Sequence, residues 1–451
     1  MSSFLFDDFD TLPAAAWKQK IQVDLKGADY NDTLLWKTNE GIVVKPFYTE
    51  EDRNHADINL PKKGFNICQS IFIDDVSIAN KLALDALHRG ANAIQFKANK
   101  SFDYTSLLQE INLDHTVLYF NLNFLNASFV LKLNDFCKSN NCYFQIDIIG
   151  HLAETGNWYT TMSSDLDKVK KFTNILENPI SINASLYQNA GASVVQELAY
   201  ALSQTNEYIE LFGNSIAHKI HYSFSVGSNY FFEIAKLRAF RILHKSLLKE
   251  YDIETKAAHI YTKPSLRNKT IYDYNVNMLR TTSECMSAIL GGSDTISNTS
   301  YDALYHKSNE FGERIARNQL LVLQKEAYLH EAQSFADGAY YIESITKQFA
   351  EKALETFKQI EKGGGFLNQL KSGTIQKKIK DNAQKEQQQF DSNQITLLGT
   401  NKLPNKNDRM KDNLEIYPFL KKKHSKTLIP PVLQTRLSEQ HEKHRLETEL
   451  L

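Results

Sequence analysis

From about residue 64 the apolar positions switch repeatedly between two periods: short runs rich in β-branched and aromatic residues, and longer stretches with helical spacing. The short runs are FNICQSIFI (65–73), NAIQFKA (92–98), HTVLYFNLN (115–123), CYFQIDIIG (142–150), PISINAS (179–185), KIHYSFSVG (219–227), AAHIYTK (257–263) and SDTISNTS (293–300). Between them lie helical stretches such as VSIANKLALDALHRG (76–90), where Ile78, Leu82 and Ala86 share one face and Ala79, Ala83 and Leu87 lie beside it. Gly90 is suited to a left-handed cap there. Further helices are predicted over NYFFEIAKLRAFRILHKSLLKEY (229–251) and EFGERIARNQLLVLQKEAYL (310–329). Eight strand-helix units between residues 63 and 330 predict an α/β fold, a (β/α)8 TIM barrel, whose usual size is about 250 residues. A doubly wound open sheet is the structural alternative.

Two flanks remain. Residues 1–62 are read as an N-terminal arm, with a hairpin or extended packing predicted around Gly41 in WKTNEGIVVKPFYT (36–49). Residues 331–451 form a helical post-barrel belt and tail, with polar, Lys- and Gln-rich helices, a helix stop at GGGF (363–366), and an amphipathic helix after Pro430-Pro431. The KKKHSK run (421–426) reads as a solvated stretch.

Charge narrows the partners. Lys plus Arg (52) balances Asp plus Glu (53) in 451 residues, so no net field favours nucleic acid or an anionic membrane. The N-terminus has acids where a leader peptide needs a positive region, and no run approaches the ~18 apolar residues of a membrane span. A cytoplasmic location is the expectation. Cys68, Cys137, Cys142 and Cys285 lack zinc spacing and are expected to be reduced and buried.

In a barrel, chemistry belongs at the C-terminal ends of the strands. Those places hold Asp74 and Asp75, Lys97, Asn121 and Asn123, His151 with Glu154, Leu186 with Gln188, Ser228 with Asn229, Lys263, and Asn298. They form no recognisable catalytic set, and GxGxxG, Walker, HExxH and GxSxG motifs are missing. His151 and Glu154 could make an acid-base pair, although a surface pair in a long loop (150–165) is the better reading.

Local patterns name a family. NYFFEIAKLRAFRIL (229–243), RTTSECMSAILGGSDTISNTSYD (280–302) and SNEFGERIARNQLLVLQKEAYL (308–329) resemble successive blocks of the adenosylcobalamin-dependent acyl-CoA mutases, methylmalonyl-CoA mutase above all. LKGADYNDTLLWKTNEGIVVKPFYT (25–49), QELAYAL (196–202) and RLSEQHEKHR (436–445) do the same, so the resemblance covers nearly the whole chain in order. It implies a barrel threaded by a coenzyme A ester, a separate corrin-binding domain, and radical isomerisation of (R)-methylmalonyl-CoA and succinyl-CoA.

The family's catalytic features do not carry over. The His that polarises the substrate carbonyl stands four residues before an Ala-Gly pair; here that pair is Ala190-Gly191 and the position holds Leu186, which cannot donate a side-chain hydrogen bond. The Tyr-Arg-Thr loop before the barrel is replaced by a short polar connection within residues 51–69, the GTIQND segment by IDIIGHLAETGNW (146–158), and the Gln-Thr-Ser-Gly segment by Lys263-Pro264-Ser265-Leu266. No Asp-x-His-x-x-Gly motif occurs, and six residues follow Arg445 where a cobalamin domain would need on the order of 100.

The resemblance therefore implies a non-catalytic subunit with no catalytic, cofactor-binding or metal-binding residue of its own. It would pair as a heterodimer with a large catalytic mutase subunit that binds both adenosylcobalamin and the acyl-CoA substrate. A catalytic barrel borrowing a cobalamin domain from a separate chain is one alternative. An unrelated activity built on His151, Glu154 and Lys263 is another. The partner surface is expected around the aromatics Phe4, Phe6, Phe9 and Trp17, unless the arm folds back on its own barrel.

Overall fold

In the computed structural model, the residues described are 9–10, 12–53, 58, 60–61, 64–138, 141–331, 334–421 and 426–449. The arm carries a two-residue hairpin, β1 (Trp36–Lys37) and β2 (Val43–Val44), turned at Gly41 with φ +73°. Eight strands follow: β3 (Asn66–Phe72), β4 (Ala93–Ala98), β5 (Val117–Leu122), β6 (Cys142–Phe144), β7 (Ile180–Asn183), β8 (Ile220–Val226), β9 (His259–Pro264) and β10 (Thr295–Ile296). All pair in parallel in the order β6-β5-β4-β3-β10-β9-β8-β7.

The ring closes between β6 and β7, where Phe144 N donates to Asn178 O and Ser181 N to Ile146 O, at 2.9 and 3.0 Å. This is the barrel, not the open sheet. Alternation along each strand sends one set of side chains outward under the helices. Ile94, Phe96, Leu118, Phe120, Phe144, Ile182, Tyr222 and Phe224 belong to that set and are fully buried.

Three local expectations need correction. The helix Val76–His88 does stop at Gly90, with φ +99°, but it buries Ala79, Ala83 and Ala86 while Ile78 and Leu82 are 60% and 49% exposed. Small side chains let the helix axis lie close to the strands, so the methyl row wins the inner face. The run 142–150 is a strand only to Phe144. Asp147 then accepts from Gly150 N at 2.7 Å and starts a helix, Ile148–Thr155, so His151 and Glu154 are helical and not in a long loop. The late helix Glu439–Thr448 buries no apolar stripe; its inward residues are Glu439 and Glu442, the latter paired with Arg436 at 2.6 Å.

The arm divides. The helix Ala14–Asp24 buries none of its residues, whereas the hairpin folds back on its own chain. Trp36 stacks on Phe232 at 5.4 Å between ring centres, and Asn39 and Gln389 exchange side-chain amide hydrogen bonds. Phe4 and Phe6 lie outside the described residues. The belt comprises the helices Tyr340–Lys362, Phe366–Lys371 and Thr374–Asp391, the first ending at Gly363 as expected, with Gly364 and Gly365 in the turn. All four cysteines are free and buried.

Candidate functional site

The barrel axis is filled with rings. Tyr119 on β5 reaches β9 and β10, its hydroxyl 2.7 Å from His259 Nε2 and donating to Thr295 Oγ1 at 2.7 Å. Strands β5 and β9 are not neighbours in the sheet, so these contacts cross the interior. Tyr143 stacks on His259 at 4.2 Å and on Tyr119 at 5.0 Å, while Tyr261 packs against Tyr119 at 4.9 Å. His221 closes the group edge-on to Tyr143 at 5.2 Å. Burial, with His259 beside it, holds His221 well below its ordinary value and hence neutral. The axis on which the resemblance places a coenzyme A ester is occupied by Tyr119, Tyr143, Tyr261, His221 and His259.

Above this plug the mouth narrows to a cavity of about 80 Å³. It brings together five residues singled out from the sequence, His151, Glu154, Lys263, Asn121 and Asn123, with two that were not, Asp147 and Tyr159. The His151 ring lies flat on Tyr159 at 3.7 Å, and Glu154 accepts from Gln434 Nε2 at 3.2 Å. Asp147 is fully engaged: it also accepts from Asn183 N, Gln204 Nε2 and Tyr208 OH at 3.0, 2.5 and 2.7 Å. Burial nevertheless raises its pKa above the ordinary carboxylate value. Its sequence signal was the Asp-x-x-Gly cap at a strand end, hidden inside an apolar run.

Leu186 lies in the short helix Ser185–Asn189 and is 1% exposed within the main core. Around it the turn is held by polar ties. Tyr187 OH donates to Gln204 Oε1 at 2.8 Å, and Asn189 Oδ1 accepts from Ser265 Oγ and Leu266 N, both at 2.9 Å. Ser193 and Gln196 then form a capping box that starts the helix Val194–Phe212.

Beside the mouth, a second cavity of about 300 Å³ lies between the barrel rim, the hairpin and the belt; it is lined by Gln188, Ser228, Asn229, Glu40 and Glu233. Asn229 also caps the helix Tyr230–Glu250. Behind Glu233, Lys236 Nζ sits 2.9 Å from Glu197 Oε2 and 2.5 Å from Glu233 Oε2, and donates to Ser225 O at 2.6 Å. Sequence reading missed this cluster because its members come from separate helices. Asp75 and Asn298 are structural: one caps a helix, and the other donates to Ala316 O and Gln319 Oε1.

The Glu197 carboxyl is pushed by burial, against the pull of Lys236, from its ordinary 4.5 up to about 8. A carboxyl raised in this way binds its proton in the folded chain but not in the unfolded one across that window. Its stabilisation is whole below about 4.5 and is lost as pH rises through about 8. Glu197→Gln is therefore expected to flatten the fall in stability over that window, read as the urea midpoint against pH for both proteins.

A closed parallel barrel with an aromatic axis and an ion-locked rim defines the class of the chain. The family described as methylmalonyl-CoA mutase matches residues 100–448. The small subunit of methylmalonyl-CoA mutase from Porphyromonas gingivalis is 32% identical over 89% of this chain and 71% of its own length. The Rhizobium meliloti methylmalonyl-CoA mutase is 34% identical over 53% of this chain and 35% of its own, and the large subunit from Porphyromonas gingivalis 29% over 50% and 33%. The chain belongs to the methylmalonyl-CoA mutase family, a family of adenosylcobalamin-dependent isomerases. It spans about a third of the length of the second and third of these relatives.

Proposed function

We propose that this chain is the non-catalytic small subunit of a heterodimeric methylmalonyl-CoA mutase, stabilising or positioning a large chain that binds adenosylcobalamin and isomerises the acyl-CoA in the cytoplasm. The carrying observation is the filled axis: three tyrosines and two histidines occupy the path a coenzyme A arm would take. Leu186, in the place of the family's catalytic His, adds a rim position with no hydrogen-bond donor.

The residues present do not fit a corrinoid either. Drug-sized ligands fill roughly 300–1,000 Å³ and a corrinoid is larger, whereas the rim cavities are about 80 and 300 Å³. A catalytic barrel that borrows its cobalamin domain would still need the carbonyl-polarising His and an open axis; Leu186 and the aromatic plug stand in both places. Adenosylcobalamin, when bound by the partner, supplies the radical that starts the rearrangement; this chain contributes surface.

That surface is the exposed part of the arm. On the helix Ala14–Asp24, Trp17 and Val23 are 51% and 72% exposed, with Trp17 edge-on to Phe47 at 6.3 Å. Phe9 and Leu12 continue the apolar character, each 74% exposed. Purified from its own cells, the chain is expected to bring down a large mutase chain in equal amount, and Trp17→Asp to weaken the pairing. Recovery alone, under the same mild conditions, overturns the reading. Leu186→His in the complex is expected to add no turnover, because the axis stays blocked.

A further inference from the structure

The barrel mouth gathers two ammonium groups without a paired carboxylate. Lys97 is the last residue but one of β4, opposite Asn121, and Lys263 the last but one of β9, opposite Ser225. Both strands alternate so that these residues point into the barrel. Among the described residues neither lysine forms an ion pair or a side-chain hydrogen bond. Lys263 lines the 80 Å³ mouth cavity with Asn121, Gln145, Asn183, Ser223 and His151.

The nearby acids are committed elsewhere. Asp147 accepts four hydrogen bonds from Gly150, Asn183, Gln204 and Tyr208. Glu154 favours the Lys263 charge from beyond ion-pair reach and is held by Gln434. Glu313 bonds to Gln69, Ser300 and Ser308.

We infer that the mouth is a binding site for one small oxyanion, a short carboxylate or a phosphate, held by Lys263 and the amides around it with Lys97 supplying the second positive charge. Two like charges in a partly desolvated site disfavour each other. Burial and the neighbouring Lys263 bring Lys97 down to about 8. An oxyanion seated beside Lys263 offsets that repulsion, and the side-chain amides and hydroxyls supply directed donors. The cavity has room for a few waters or one small carboxylate, not for a coenzyme A ester. The site is independent of whether the chain is a subunit of a mutase.

The test is calorimetric titration of the full chain with acetate and with inorganic phosphate, at constant ionic strength and pH 7, with chloride as the reference salt. One saturable site is expected, with affinity weakened at least tenfold by Lys263→Met and several-fold by Lys97→Met. Affinity should also fall as pH rises through about 8, where Lys97 gives up its proton; His151, Glu154, Asp147 and Glu313 also face the site and serve as controls. Acetate alone binding identifies a carboxylate site, and phosphate alone a phosphate site. Heat of equal size in Lys263→Met, or no saturation by either anion, overturns the proposal. Should Lys263→Met fail to fold, Lys263→Gln with Lys97→Gln is read against Lys263→Arg, which keeps the charge and must keep the binding.

Discussion

Replacing Lys236 with Met is expected to lower the stability of the chain by about 3–5 kcal/mol, the usual cost of stranding a buried charge. The lysine is fully buried, and its ammonium group meets two carboxylates and one strand carbonyl. Met fills nearly the same volume, so the loss is electrostatic and not a cavity effect. Glu197 and Glu233 would then stand near each other with no cation between them. Against the ~5–15 kcal/mol that holds a domain together, such a loss shifts the denaturant midpoint far down. Adding Glu233→Gln to the Lys236→Met protein removes the carboxylate closest to the lost ammonium group, so the double variant should be more stable than the single one. If the two losses simply add, the electrostatic account is wrong.

The second large effect concerns the Ala-Gly pair. Gly191 has φ +98°, and a methyl group built on it would meet Ala383 Cβ at 2.5 Å, on the belt helix Thr374–Asp391. Asn382 Nδ2 donates to Gly191 O at 2.7 Å from the same helix. Gly191→Ala therefore has both a backbone penalty and a clash with a helix that cannot recede without losing that bond. A loss of about 2–4 kcal/mol is expected from the two together. Limited proteolysis should show cleavage appearing first around the helix Thr374–Asp391. Gly213→Ala is the control: its φ is +83°, but nothing stands within 4 Å of the added carbon, so only the backbone part of the loss should appear. The pair of small residues thus persists as a seat for the belt.

These cases mark what was legible in the sequence. All eight barrel strands were, because parallel strands under helices read as short apolar runs rich in β-branched and aromatic residues, set between stretches of helical period. The hairpin at Gly41 and the stop at Gly90 were legible because positive φ selects glycine. The inner face of the helix Val76–His88 was not, since apolar spacing alone cannot separate an alanine row from the Ile78 and Leu82 row beside it. Nor was the plug. Alternation places Tyr119, Tyr143, His221 and His259 on the inward face, but only the register of four strands reveals that they meet. The Lys236 cluster joins residues from the helices Val194–Phe212 and Tyr230–Glu250, a pairing no local pattern encodes. At the mouth, His151, Glu154 and Lys263 were named separately; the turn into a helix at Asp147 is what gathers them.

The amide exchange between Asn39 and Gln389 has a consequence for synthesis. It clasps two flanks 350 positions apart, and the ribosome adds roughly 5–20 residues per second. The hairpin must therefore wait tens of seconds for its belt partner to emerge, while the barrel between them can already close. During that interval Ile42 and Val44, buried in the finished fold, lack their full cover, so the nascent chain is most open to chaperones, or to an assembling partner, around the hairpin.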